Sequence, residues 1–208
     1  MPTELVPGVF DITCREQDGK RYRVFLFTQG TPTLFDTGLG DTVEAVIDGI
    51  EAVGVAPERL VITHGDGDHV GGFGALIDRY DLESWVPQQS TFDGAADADH
   101  RYSDGERIGR FTAVHLPGHK PDNHALIDED AKIAVMGDGL SGADQRGLPA
   151  GYFHLPPAVY SHDLNQAEER LGRLLAYDFE VGLVFHGSSV LKDARETLEA
   201  YVDFPGKP

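Results

Sequence analysis

Between residues 64 and 69 the chain reads His-Gly-Asp-Gly-Asp-His, four side chains able to ligate a metal within six positions. The run follows the apolar stretch Arg59-Leu60-Val61-Ile62-Thr63 and precedes the glycine pair at 71 and 72. Charged and imidazole groups are not buried behind a strand unless something compensates them. The segment therefore predicts a loop at a strand end, built for function. In an extended loop residues 64, 66 and 68 project to one side and His69 turns to the other, which suits two adjacent ions. Glycines at 65 and 67 permit tight backbone conformations and leave room for ions. An Asp-Gly-rich turn would account for Asp66 or Asp68 taken singly, but not for two imidazoles beside them. Calcium loops bind through oxygen and have no use for His64 and His69. Two imidazoles favour a transition metal.

Around this loop the chain alternates short β and α patterns. VPGVFDIT, RYRVFLFT and TPTLFDTG read as three strands of an antiparallel meander, separated by the turn signals QDGK and QGTP. Val43, Val46, Ile47 and Ile50 recur at helical spacing, with Asp41 or Thr42 as N-cap and Gly54 as the stop. RLVIT reads as a buried strand, HGDGDHVGG as a loop, FGALIDRY as a helix and LESWVP as a strand. The stretch from Ser90 to Glu106, dense in Asp, Ala and Gly, reads as a long surface excursion, either an active-site flap or an acidic loop. RFTAVHLP, NHALIDE and KIAVMGD predict further strands and a second sheet. NQAEERLGRLLAYD predicts a helix, FEVGLVFHG a strand and VLKDARETLEAYVDF a last helix. This order fits a layered α/β domain with two sheets inside and helices outside. The length of 208 residues suits a single domain, 1–208, with one substantial core.

Composition narrows the function classes. With 35 Asp plus Glu against 17 Lys plus Arg, the formal charge is -18. Such an excess repels phosphates and anionic lipid surfaces, so no nucleic-acid partner and no membrane partner is expected. A small-molecule substrate is the expected partner, and a homodimer is left open. Arg outnumbers Lys and Asp outnumbers Glu, a bias that resembles the surfaces of halophilic proteins. The start, MPTELVPGVFDI, lacks the pattern of a secretory signal, so the expected location is cytoplasmic. The single cysteine, Cys14, offers neither an internal disulfide nor a zinc-thiolate site, and any metal must be bound by His and carboxylates.

Further candidates follow in order: Asp36-Thr37-Gly38 after an apolar strand, Leu116-Pro117-Gly118-His119, Gly137-Asp138 and His186-Gly187. Singly each is weak, because Pro-Gly-His and Gly-Asp are common turn sequences. Together with the metal loop they resemble the metallo-β-lactamase superfamily over nearly the whole chain. That family's signature is His-x-His-x-Asp-His followed by a lone His, an Asp and a last His at strand ends. The resemblance implies a four-layer αββα sandwich and two divalent metal ions, zinc foremost. It implies that His64, Asp66 and His119 hold one metal, Asp68, His69 and His186 the other, with Asp138 between them. Asp36 would support the loop without binding metal. The histidines at 100, 115, 124, 154 and 162 have no such place and read as structural or exposed, with His154 and Tyr152 the best outsiders.

The departure from the family is Asp66, where the pattern has its second histidine. Four positive charges on two metals would face Asp66, Asp68, Asp138 and a hydroxide, leaving the site formally neutral. A neutral site polarises a carbonyl less, and the hard carboxylate oxygen makes iron or manganese more competitive. Flavodiiron proteins resemble this pattern, which leaves a di-iron, oxygen- or peroxide-reactive protein as the alternative. A metal-binding domain without catalysis is the non-enzymatic rival. The leading expectation is a dinuclear hydrolase in which hydroxide, oriented by Asp68, attacks an ester, thioester or lactone carbonyl.

Overall fold

A computed structural model describes residues 1–17 and 19–204, so Asp18 of the QDGK turn lies outside the described residues. The chain divides into two compact units, Met1–Tyr102 and the residues from Ser103 onward. Each is built on its own mixed sheet.

In the first unit β1 (Thr3–Val6), β2 (Val9–Gln17), β3 (Lys20–Phe27) and β4 (Thr33–Phe35) form an antiparallel meander. The meander has one strand more than the residue pattern predicts, because Pro7-Gly8 turns the chain between β1 and β2. After β4 the pairing becomes parallel: β5 (Arg59–Val61), β6 (Glu83–Pro87) and β7 (His100–Tyr102) follow in order. Parallel neighbours need a crossover, here α1 (Val43–Val53) and α3 (Phe73–Tyr80). Gly54 ends α1 in the left-handed conformation, as its type predicts. Neither Asp41 nor Thr42 caps it by side chain; a 3-10 turn at Gly40–Thr42 leads in, and the Thr42 hydroxyl donates to Leu39 O. Val46 and Ile50 of α1 and Phe73 and Leu76 of α3 pack on Ile12, Val24, Leu26, Leu34 and Leu60. Full burial of each such side chain stabilises by about 1.5–3 kcal/mol.

Two readings of this unit need correction. The Ser90–Glu106 stretch is not wholly a surface excursion, because β7 interrupts it and Tyr102 is fully buried, its hydroxyl donating to Ile62 O at 2.6 Å. The HGDGDHVGG loop is extended only to Asp66; Gly67–Val70 forms the short helix α2. Residues 64, 66 and 68 therefore do not form one extended row.

The second unit carries β8 (Arg107–Ile108), β9 (Phe111–His115), β10 (His124–Asp128), β11 (Ile133–Val135) and β14 (Val181–Leu183), in the sheet order β14-β11-β10-β9-β8. Among the described strands of this sheet, β11 and β14 alone pair in parallel. A small hairpin of β12 (Ser141–Gly142) and β13 (Phe153–His154), too short for a periodic signal, lies outside this sheet. The helix α4 (Leu164–Leu171) is capped by Asp163, whose carboxylate accepts from Asn165 N and Gln166 N, and continues as a 3-10 turn. The last helix, α5 (Ala194–Asp203), starts later than expected, because Val190 is drawn into a bridge with Gly182. Ala167 and Leu171 of α4 and Ala194 and Leu198 of α5 join Val114, Ala125, Ile127 and Ala134 in one core.

Both sheets present strand ends to the ligand candidates. Asp36 follows β4 and His64 follows β5, the carboxyl ends of a parallel pair. In the second unit β9, β11 and β14 run in one direction, and His119, Asp138 and His186 follow their carboxyl ends. Carboxyl ends of parallel strands are where α/β proteins place ligands. Among the described residues no helix is long and apolar enough to cross a membrane.

Candidate metal centre

In the first unit, the segment 64–72 is clamped by the turn after β4. Thr37 N and the Thr37 hydroxyl both donate to His69 O, at 2.7 and 2.8 Å, and Gly72 N donates to the same hydroxyl. Gly71 N bonds Gly38 O. A Cβ on Gly71 would lie 2.2 Å from Gly40 N, so backbone meets backbone there and only glycine fits. The tight approach expected of Gly67 falls on Gly71 instead: Gly67 sits inside α2 with nothing within 4 Å of a Cβ.

Asp36 holds the imidazoles from behind. It is fully buried in the left-handed conformation, φ 61°. Its carboxylate accepts from Thr63 N at 2.7 Å and from the Thr63 hydroxyl at 2.8 Å, and His69 Nδ1 lies 2.7 Å from Oδ2. Burial pushes the Asp36 carboxyl upward, while His69 and the Thr63 donors pull it down. Having given its proton to Asp36, the Thr63 hydroxyl can only accept from His64 Nδ1, 3.1 Å away. Both imidazoles are thereby committed at Nδ1, leaving Nε2 as the nitrogen with a lone pair to offer. The two rings lie 4.1 Å apart, and His64 Nε2 is 3.9 Å from Asp66 Oδ2. Asp68 lies partly buried one residue before His69.

The second unit brings His119, Asp138 and His186 together. Asp138 Oδ2 lies 3.5 Å from His119 Nε2 and 3.3 Å from His186 Nε2. Two ligand atoms on a tetrahedral ion with bonds of about 2.0–2.1 Å stand about 3.3–3.4 Å apart, so both spacings are those of neighbours on an ion. Asn123, fully buried, holds the main chain of Asp138: its Oδ1 accepts from Asp138 N at 3.0 Å and its Nδ2 donates to Leu116 O at 3.2 Å. That amide ties the Pro-Gly-His loop to the aspartate. The loop also packs on α4, where a Cβ on Gly118, at φ 139°, would meet the Ala167 backbone at 2.3 Å. His186 is braced through Gly142 N, which donates to its carbonyl, while Ser188 donates twice to Asp144.

Thr63, Asn123 and Ser161, which contacts His119 Nδ1 at 3.2 Å, escaped the residue pattern. Only Thr63, adjoining the loop in the chain, carried a signal that could have found it. The other histidines have other partners. His100 stacks on Trp85 at 4.1 Å, His115 Nε2 lies 2.7 Å from Pro121 O, and His154 Nδ1 lies 2.9 Å from Leu155 O. His162 is exposed, and His124 is buried beside His115, desolvation lowering its pKa to about 4. Tyr152, the other outsider, is exposed and borders a cleft with Phe153, Tyr201 and Phe204.

The family model of the metallo-beta-lactamase superfamily matches residues 22–187, which spans both ligand sets. The chain belongs to this superfamily. Among curated members, it is 27% identical over 163 residues to an atrochrysone carboxyl ACP thioesterase of Passalora fulva, covering 76% of this chain and 45% of that protein. It is 29% identical over 136 residues to the hydroxyacylglutathione hydrolase GloC of Haemophilus influenzae, covering 54% of this chain and 64% of that one. The chain thus spans between 45% and 64% of the length of these two relatives. Among solved structures, TTHA1623 in a di-iron-bound form superposes with a TM-score of 0.68 at 23% identity, covering 98% of this chain and 97% of that one. The two curated relatives are named as hydrolases, and the α/β fold of this chain, with two mixed sheets, is that of the superfamily.

Proposed function

We propose that this chain is a dinuclear metal-dependent hydrolase acting on an ester, thioester or lactone carbonyl of a small molecule. The observation that carries the proposal is the meeting of His119 Nε2 and Asp138 Oδ2 at 3.5 Å. The Ser161 hydroxyl gives its proton to Pro157 O, so it accepts from His119 Nδ1, and Nε2 presents a lone pair to a carboxylate oxygen. Two acceptors facing one another in a buried place repel unless a cation stands with them. His186 Nε2 lies 3.3 Å from the same oxygen, so Asp138 suits a position shared by two ions.

By the family pattern the ligands are His64, Asp66 and His119 for one ion, Asp68, His69 and His186 for the other, and Asp138 for both. Two divalent ions in such a site, zinc foremost, supply Lewis acidity and bring the pKa of water toward neutrality. The residues of the chain do the remainder. The imidazoles of His64, His69 and His119, held at Nδ1, keep Nε2 aimed, and Asp68 orients the nucleophile. The thioesterase and hydroxyacylglutathione hydrolase among the relatives favour an activated acyl substrate. A salt-rich environment accords with the acid-rich composition.

Asp66 favours a second reading, because a carboxylate in place of an imidazole hardens the donor set toward iron. The di-iron-bound relative among the solved structures points the same way. Metal analysis by mass spectrometry, on protein purified in high salt without chelators or affinity-metal columns, separates the two. About two zinc or manganese ions per chain, with turnover of thioesters or lactones, is the expected result. Two irons without esterase activity would move the assignment to oxygen chemistry, and no metal after reconstitution would leave a fold without catalysis.

A further inference from the structure

We propose that Ser161 is a positioning residue that locks the tautomer of His119. This rests on the reading of His119 as a metal ligand. The Ser161 hydroxyl donates its one proton to Pro157 O at 2.9 Å. Its oxygen is then an acceptor toward His119 Nδ1 at 3.2 Å, which requires the proton on Nδ1 and leaves the lone pair on Nε2, the atom beside Asp138. The strap from Pro157 to Asp163 is built to hold this hydroxyl in place. Tyr160 N also bonds Pro157 O, Ser161 N bonds Ala158 O, His162 N bonds His119 O at 2.9 Å and Asp163 N bonds Gly118 O at 2.8 Å. Two main-chain bonds thus register the strap against the Pro-Gly-His loop, and Asp163 anchors it to α4 as that helix's cap. The strap is therefore part of the ligand-orienting apparatus, although it lies 42 residues from the histidine it serves.

The test uses the full chain labelled with 15N and read at pH 8.5. Long-range proton–nitrogen correlation assigns the His119 tautomer without any metal, and zinc affinity is measured separately by competition with a chromophoric chelator. Wild type is expected to carry the proton on Nδ1. Ser161→Ala is expected to mix the tautomers and weaken zinc binding roughly 10- to 100-fold, and Ser161→Thr, which keeps the hydroxyl, to restore both. A wild-type protein protonated on Nε2, or a Ser161→Ala variant with unchanged tautomer and affinity, would overturn the proposal. A wild-type protein that binds no zinc would instead sink the metal-site reading, and the tautomer would still decide the role of Ser161.

Discussion

In the first unit the ligand segment hangs on one buried charge: Asp36 accepts from Thr63 twice and meets His69, and through Thr63 it reaches His64. In the second unit the groups that meet the candidate ligand residues directly are neutral. Asn123 holds Asp138, Ser161 holds His119, and backbone amides hold the carbonyls of His119 and His186. The difference follows from how the ligands are spaced along the chain. Two imidazoles five residues apart, on one loop, can share a single carboxylate; three candidate ligands at the ends of three strands each need their own support. A charged anchor concentrates dependence on one residue, whereas neutral anchors divide it.

The largest effect should therefore come from Asp36. Asp36→Ala leaves three buried donors without their acceptor and should cost on the order of 3–5 kcal/mol in urea unfolding. Asp36→Asn, which can still occupy the left-handed conformation, should fold with less loss yet release metal. A cost under about 1 kcal/mol for the alanine variant would break the contrast between the units. Next is acid. His124 is neutral in the fold, with its pKa near 4, among His115, Asp104 and Asp122. The unfolded chain binds this proton more readily, so the group's contribution is complete above about pH 6.5 and is lost as pH falls toward 4. That loss is roughly 3 kcal/mol and belongs to the second unit. Urea midpoints at pH 7 and 4.5 should converge in His124→Gln, and an unchanged acid slope would remove the assignment. Asn123→Ala comes third, at about 2 kcal/mol for two buried hydrogen bonds, with metal binding weakened but not abolished. Asp66→His, which restores the family's imidazole, should raise zinc affinity about tenfold with little change in stability. Equal affinity in chelator competition would mean that residue 66 does not ligate.

Those residues differ in how far the chain alone announced them. The strand β5 and the crossover helices were legible, because Val46, Ile50, Phe73 and Leu76 repeat at helical spacing and RLVIT is an unbroken apolar run. The metal candidates stood out as two imidazoles and two carboxylates within six residues of one loop. What was not legible is local. Gly67–Val70 turns helical because Thr37 and Gly38 hold the segment by main-chain bonds, a tertiary constraint that overrides loop composition. β7 escaped because His100-Arg101-Tyr102 has no alternation long enough to read; its place comes from pairing with β6 and the buried Tyr102 hydroxyl. Asn123 and Ser161 escaped because a single amide or hydroxyl has no pattern until folding sets it beside its ligand.

The smallest effect concerns charge rather than ligands, and it again separates the units. Residues 1–102 carry 18 acidic and 7 basic side chains, a net of -11, whereas residues 103–208 carry 17 and 10, a net of -7. At about 0.1 M salt such charges repel over about 10 Å, and at 1 M the range falls to about 3 Å. Salt also weakens exposed pairs such as Arg79–Glu51, at 2.9 Å, but these are worth about 1 kcal/mol or less apiece. Repulsion should win. Rising KCl should therefore raise the melting temperature, and amide exchange should slow more in α1 and α3 than in α4 and α5. A flat melting curve would mean that the acidic excess is already neutralised by its own geometry, and equal slowing in the two units would show that the uneven charge does not matter for folding.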